Sequence, residues 1–455
     1  MMTHQSVPGL SRRQLLQQLT CGAGLMTLPA TTQADSAEQT QDLERIAARI
    51  QANEVIQRGR AAALGVLKPS QRDLEHGLTL HAESLVFDAY GFAPRAAIDA
   101  AVYSRAFDEG ASDTELQDLS EEMSMTGAVV DPVERDEFEI AWRAAGVTCI
   151  FQNAGEECQA PLRLIKRLAR FTYLTDMLPQ LITKAATPDE ILAARQQSRG
   201  CLYLTGNGVP LSEDWLTPHD ELKYVRIFFQ LGIRMMHVTY QRRNMLGDGC
   251  GETANGGLSD FGRQAIAEMN RVGVIVDVAH SGWRTSLEAA RASQKPMAAS
   301  HTTAAGLHHH IRSKPDEVLK AIAEKQGYVG VCCIPEFLGA RGDIEAFLDH
   351  IDYIVKTIGI DHVAIGTDIS YTSRNDAAER ARLPRNPRKS RLKWASLWPQ
   401  NAFAAVPGSR DSLMWSNWPL FTVGLVQRGY KDDEIKKILG ENVLRVTRAA
   451  LDIGK

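Results

Sequence analysis

Long hydrophobic runs are missing from this 455-residue chain. No uninterrupted apolar stretch reaches the ~18 residues that a bilayer-spanning helix needs, so no membrane span is expected. Cysteine is scarce at seven residues, too few for a disulfide scaffold at this size. No CxxC pair occurs among them, which argues against a zinc knuckle or a thioredoxin-like site. Neither sign of charge dominates. The formal net charge is -4, and nothing in it recommends a nucleic-acid partner. What remains is ordinary globular material, 44% hydrophobic and 23% charged, which excludes wholesale disorder. Length alone suggests roughly three domains, although an α/β barrel can fill such a chain as one.

The N-terminus reads as an address. Arg12 and Arg13 sit in S-R-R-Q-L-L, just ahead of a mildly apolar stretch that ends near Leu28 and gives way to T-T-Q-A before Asp35. This pattern matches a twin-arginine (Tat) export signal over residues 1–34, handled by the Tat machinery and delivering a folded protein to the periplasm. Cys21 lies inside it, but Gln18 stands where a lipoprotein signal wants an aliphatic residue. Residues 35–83 follow as a polar, helix-forming leader, expected to be exposed.

From residue 84 to 455 the chain reads as one domain. Short apolar runs alternate with longer helical patterns: LVFDAY from Leu85, VTCIFQ from Val147, LYLTG from Leu202, MMHVTY from Met235, VIVDVAH from Val274, MAASH from Met297, GYVGVCC from Gly327 and HVAIGTD from His362. Continuous apolar strands separated by helices predict a parallel sheet covered on both faces. Eight such units predict a closed (β/α)₈ barrel of the TIM type. An open doubly wound sheet is the rival, but no GxGxxG turn follows the first strand. Two insertions interrupt the rhythm, an acidic one at about 105–140 and another at about 371–412. The second holds the basic run RLPRNPRKSRLKW. It reads either as a solvated insertion or as a lid offering cations to an anionic substrate.

Most of the apolar runs end in a residue able to do chemistry: Tyr90, Asn153, Asn207, Tyr240, His280, His301 and Asp368. Strand ends converge at the C-terminal mouth of a parallel barrel, where barrel active sites lie. His280 and His301 close consecutive strands, which places two imidazoles at one rim and predicts a shared metal ion. His308, His309 and His310 form a run, of which at most one is expected to face the mouth. Asp248, Cys250 and Glu252 lie in a glycine-rich loop. Cys250 reads as an incidental loop cysteine or as a soft ligand or nucleophile.

GLSDFGRQAIAEMNRVGVIVDVAHSG, PMAASHTTAAGL, IRSKPDEVLKAIAEKQGYVGV, DHIDYIVKTIGIDHVAIGTD and the terminal GYKDDEIKKILGENVLRV together resemble the membrane (renal) dipeptidase family. The resemblance implies a metallo-dependent hydrolase barrel, usually with two zinc ions, cleaving dipeptides. It places His280 and His301 on the two histidines of one zinc, and Arg312 on the arginine that grips the substrate carboxylate. Asp368 falls on the strand-end aspartate associated with the substrate and the bridging water. Other positions depart from the pattern. Tyr90 and Phe92 replace the H-x-D pair of the other zinc. Gly206 or Asn207 stands where the bridging glutamate belongs, and Tyr240 replaces the histidine that contacts the substrate carbonyl. Phenylalanine cannot ligate a metal, and without the bridging carboxylate nothing holds two cations close together.

The expectation is therefore one zinc per chain, bound by His280, His301 and Asp368, with Asp88, Tyr90, Asn153 and Glu156 as further donors that might converge. Asp368 and Tyr240 are the candidate catalytic groups, while Arg312, Asn153, Asn207 and Tyr90 are the candidate substrate contacts. Three readings stand: a metallohydrolase acting on a dipeptide or a related amide with a carboxylate, an inactive barrel that binds a small anion, or a rebuilt site with another reaction. A homodimer is compatible with all three.

Overall fold

The computed structural model describes residues 35–155, 161–211, 217–339, 341–385, 397–399, 402–404, 406 and 410–452. The expected export signal, Glu156 and most of the basic run lie outside the described residues.

All eight expected strands form, and they lie side by side in parallel. They are β1 (Phe87–Gly91), β2 (Cys149–Asn153), β4 (Gly200–Gly206), β5 (Met235–His237), β6 (Ile275–Asp277), β7 (Ala298–Ala304), β9 (Tyr328–Val331) and β10 (Val363–Ile365), hydrogen-bonded in that order. Two further strands lie off this path. β3 (Ile182–Ala185) pairs with the first half of β4, whereas β5 pairs with its end at Thr205 and Gly206. β8 (Ser313–Lys314) pairs with the end of β7. Helices separate the barrel strands, which gives the expected nearly closed (β/α)₈ architecture.

Alternation along each strand divides the apolar residues into two layers. Phe87, Phe151, Tyr203, Met235, Ile275, Ala298, Tyr328 and Ala364 pack together inside the barrel. Their neighbours Ile150, Leu202, Met236, Val276 and Val329 face the helices. This two-sided burial is why the strands read as continuous apolar runs. At the Ser300 bulge in β7 the backbone presses inward. A Cβ at Gly330 or Gly366 would overlap the Ser300 carbonyl, so glycine is required at both.

Closure between the first and last strands depends on Asp88. Its side chain accepts from Thr367 N (2.8 Å), Thr367 Oγ1 (2.6 Å) and Trp415 Nε1 (3.0 Å). Beside it, Asp368 N donates to Tyr90 O at 2.9 Å. Asp88 therefore closes the barrel and does not converge with the histidines as a metal donor. Its neighbour Phe87 takes the inward phase of the strand and Asp88 the outward one.

The N-terminal segment is not an exposed leader. Its helices Glu54–Leu67 and Gln71–Glu83 bury Ile56, Ala63, Leu67, Leu78 and Leu80, and the helix Gln71–Glu83 packs against the helix Trp418–Gln427. Asn53 caps the N-terminus of the helix Glu54–Leu67 and donates to Glu137 and Tyr371 of the barrel domain. The acidic insertion forms the helix Asp113–Val130, whose Asp118, Glu121 and Glu122 pair with Arg163, Lys166, Arg167 and Arg170 of the helix Pro161–Met177.

Burial pushes the Asp88 carboxyl up to about 7 against the opposing hydrogen bonds. An unfolded aspartate titrates near ~3.9, so the folded chain binds the extra proton between those values. The group's contribution to stability is then fully present below ~4 and is lost as pH rises through about 7. Urea unfolding of Asp88→Asn at a series of pH values should show a shallower decline of stability over that window than the native chain.

Candidate metal centre at the barrel mouth

Five side chains from four strand ends meet at the C-terminal mouth. His301 belongs to β7, and its Nδ1 lies 2.8 Å from Ser300 Oγ. In the tautomer that donates from Nδ1, the Nε2 lone pair is left facing the mouth. His280 follows β6, and its Nε2 lies 2.8 Å from His301 Nε2. Asp368, just beyond β10, places Oδ2 4.0 Å from His301 Nε2. Its backbone takes φ of 60°, a left-handed conformation that costs a non-glycine residue energy and is often held at functional sites.

Sequence reasoning missed the other two. His237 ends β5 and Asp277 ends β6, with Nε2 and Oδ2 2.7 Å apart and both residues fully buried. Asp277 Oδ1 accepts from Ala279 N (2.9 Å) and Ser300 N (3.0 Å), bridging β6 to β7 where their ladder is reduced to one residue pair. Burial raises the Asp277 carboxyl, but His237 and the Ser300 hydrogen bonds outweigh it and hold the group below the usual carboxylate range.

Both rim imidazoles are neutral. Burial, reinforced by the Arg312 guanidinium, pushes His280 and His301 well below the ordinary histidine value. Burial also raises Asp368 to about 7, with Arg312 opposing.

These residues fit a cation. Donor atoms of His237, Asp277 and His301 lie within 4.8 Å of one another. Ligand atoms around a tetrahedral zinc are ~3.3 Å apart, given bonds of ~2.0–2.1 Å. His237 Nδ1 and Nε2, His280 Nδ1 and Asp277 Oδ2 are buried without a hydrogen bond of good geometry, a rare condition in a protein interior.

The remaining candidates are distributed around this cluster. Tyr90 stacks on His301 with ring centroids 3.8 Å apart and donates from its hydroxyl to Asn207 Oδ1. Tyr240 stacks on His280 at 4.2 Å. Asn153 is buried with Oδ1 unbonded, and lines a small cleft with Phe92, Arg95, Met125 and Arg167. Arg312 is fully buried, and its two terminal nitrogens donate to Ala279 O and His301 O. Its guanidinium is thus held by backbone and does not lie open to the mouth as expected. Only Nε lacks a partner. Cys250 Sγ donates to Gln241 Oε1, and burial raises the thiol, which disfavours the thiolate a metal or a nucleophilic role requires. Of the three successive histidines, His310 stacks on Phe337 at 4.6 Å and meets Ala402 O at 3.0 Å.

The second insertion reaches back over this mouth with aromatic side chains. Trp398 lies 4.5 Å from Phe403, 6.0 Å from Phe337 and 6.4 Å from Tyr240 by ring centroids. Such a cover excludes water from the charged groups below it and strengthens their interactions.

The sequence model of the membrane dipeptidase family, peptidase family M19, matches residues 80–378. The chain belongs to this family. Among its relatives, Dipeptidase tcpJ of Claviceps purpurea is 28% identical over 234 residues, covering 50% of this chain and 47% of that protein. The chain spans about half the length of the curated relatives it matches. Among solved structures, an amidohydrolase from Pseudomonas aeruginosa is 25% identical with a TM-score of 0.60, covering 82% of this chain and 98% of its own. The probable dipeptidase PvdM from Pseudomonas aeruginosa superposes with a TM-score of 0.62 at 18% identity, covering 84% and 100%.

Removing the Asp277 carboxylate strands His237 and the Ala279 and Ser300 amides, and each buried polar group left without a partner costs about 1–3 kcal/mol. Asp277→Ala should destabilise the metal-free chain by this order in urea unfolding. His237→Ala with Asp277→Ala should cost less than the sum of the two single changes.

Proposed function

We propose that the chain is a metal-dependent hydrolase cleaving a small amide that carries a carboxylate, with a dipeptide as the leading substrate. The observation that carries this reading is the meeting of His280 Nε2, His301 Nε2 and Asp368 Oδ2 in a buried mouth. His280, His301 and Asp368 would hold one zinc ion, with the His237–Asp277 pair against it. A bound cation supplies positive charge that polarises a carbonyl and brings a water's pKa to near ~7.

The chain's own residues account for the other steps. Asp368, raised to about 7, accepts a proton at its carboxylate from the attacking water and returns it to the departing amine nitrogen as the C–N bond breaks. Tyr240, fixed by its stack on His280, donates from its hydroxyl to the carbonyl oxygen as negative charge develops there. Arg312 contributes positive potential behind the mouth, and its unbonded Nε is the group available to a substrate carboxylate. Trp398 and Phe403 exclude bulk water. The Arg12–Arg13 pair further supports a periplasmic location reached by twin-arginine export.

A second reading is a barrel that binds a small anion without turnover. It draws on the Tyr90–Asn207 hydrogen bond, which fills the half of the mouth where the family's other metal would be held, and on the engagement of Arg312 by carbonyls.

Elemental analysis of untagged protein, paired with hydrolysis of a dipeptide panel, separates the two. The hydrolase reading expects one zinc per chain, lost in His301→Ala, and a kcat reduced ~10²–10⁴-fold in Asp368→Asn. Folded protein that lacks metal and cleaves no dipeptide would overturn it. Saturable binding of a carboxylate ligand under those conditions would then establish the second.

A further inference from the structure

His237, at the end of β5, is a histidine to which the family resemblance gives no role, yet it joins the cluster of those that have one. Its ring centroid lies 5.2 Å from that of His280 and 5.4 Å from that of His301, and those two are 4.8 Å apart. Three imidazoles on one tetrahedral ion bound at ~2.0–2.1 Å set their centroids ~3.2 Å from the ion and therefore about 5.2 Å from one another. The nearly equilateral triangle has the dimensions of a three-histidine site. The nitrogens converge as well. Those of His280 and His301 are 2.8 Å apart, and donor atoms of His237 and His301 lie within 4.8 Å.

Pairing with Asp277 does not account for His237. Its Nε2 stands 2.7 Å from Asp277 Oδ2, but neither atom forms a hydrogen bond of good geometry, and His237 Nδ1 has no partner. An imidazolium paired with a carboxylate aims an N–H along the line to the oxygen. Two lone-pair atoms in contact but out of line are instead arranged as ligands of a common centre. The carboxylate is held from turning to correct this, because its Oδ1 accepts from Ala279 N and Ser300 N. His237 is fully buried, so bulk water does not reach its nitrogens.

We propose that His237 is a direct ligand of the metal ion at the mouth, which is thus held by the three imidazoles of His237, His280 and His301. The inference rests on the hydrolase reading for the presence of an ion and extends it to the ligand set. Three nitrogen donors favour a borderline cation such as zinc over magnesium or calcium, which prefer oxygen. They also change what is asked of Asp368. A carboxylate that is one of only three tethers cannot let go of the ion without loosening it. With His237 as a further tether, Asp368 can trade protons with water and amine while the ion stays bound. Asp277, in contact with His237, supplies negative charge against the cation.

Zinc X-ray absorption spectroscopy of the full chain loaded with zinc counts imidazoles directly, and should find three. His237→Gln, checked for an unchanged circular dichroism spectrum, should show two. It should also bind zinc more than ~100-fold more weakly in competition with a chelator, beyond the ~10–100-fold lost with a residue that merely supports a ligand. Asp368→Asn should keep all three imidazoles. Two imidazoles in the native chain would overturn the proposal while leaving the hydrolase reading standing, and that spectrum decides even if the variant fails to fold. A folded His237→Gln chain with the native spectrum and affinity would overturn it in the same way. A native chain that binds no zinc overturns both.

Discussion

Two positive charges buried behind the mouth set the terms for every ionisable group in front of them. Arg312 and Lys314 are both fully buried, and their hydrogen-bond acceptors are backbone carbonyls: Ala279 O and His301 O for the arginine, Ser281 O for the lysine. Desolvation brings the Lys314 ammonium down to about 7. Burial first, and the Arg312 charge after it, make a protonated imidazole unfavourable, so His280 and His301 are kept as neutral bases with nitrogen lone pairs available. Only a carboxylate relieves that charge, and Asp277 and Asp368 are the two placed there.

The departures from the family pattern form a connected set. Tyr90 and Asn207, which the sequence resemblance sets against a metal-binding histidine and a bridging glutamate, hydrogen-bond to each other. Tyr90 also lies flat on His301, which holds the face of that ring while Ser300 holds its Nδ1 edge. Neutral groups that bond to one another need no cation to stabilise them. The bonded pair forms a neutral wall beside the His280–His301 cluster.

The barrel was legible because each strand is buried on two sides and therefore reads as an unbroken apolar run. β3 and β8 were not, being a half-buried four-residue strand and a two-residue one. His280, His301 and Asp368 were found by their place at strand ends. His237 and Asp277 lay inside the runs MMHVTY and VIVDVAH and escaped that rule. A finer signal was available, since Met235 and Ile275 face the barrel interior and period-two alternation puts His237 and Asp277 on the same face. The same alternation turns Asp88 outward. Arg312 was placed by resemblance alone, and sequence gave no hint that backbone carbonyls would occupy its terminal nitrogens.

The Asp88 cluster also governs when the chain can fold. Its partners Thr367 and Trp415 stand 279 and 327 residues further along. Contacts of such sequence separation carry a large loop-closure entropy and form late. The indole comes from a segment beyond residue 378, where the family match ends. During synthesis the barrel therefore stays open until almost the entire polypeptide has left the ribosome. In that interval the open strand edges are exposed to mispairing, and a fragment cut to the family boundaries would keep the two Thr367 bonds to Asp88 but lose the one from Trp415.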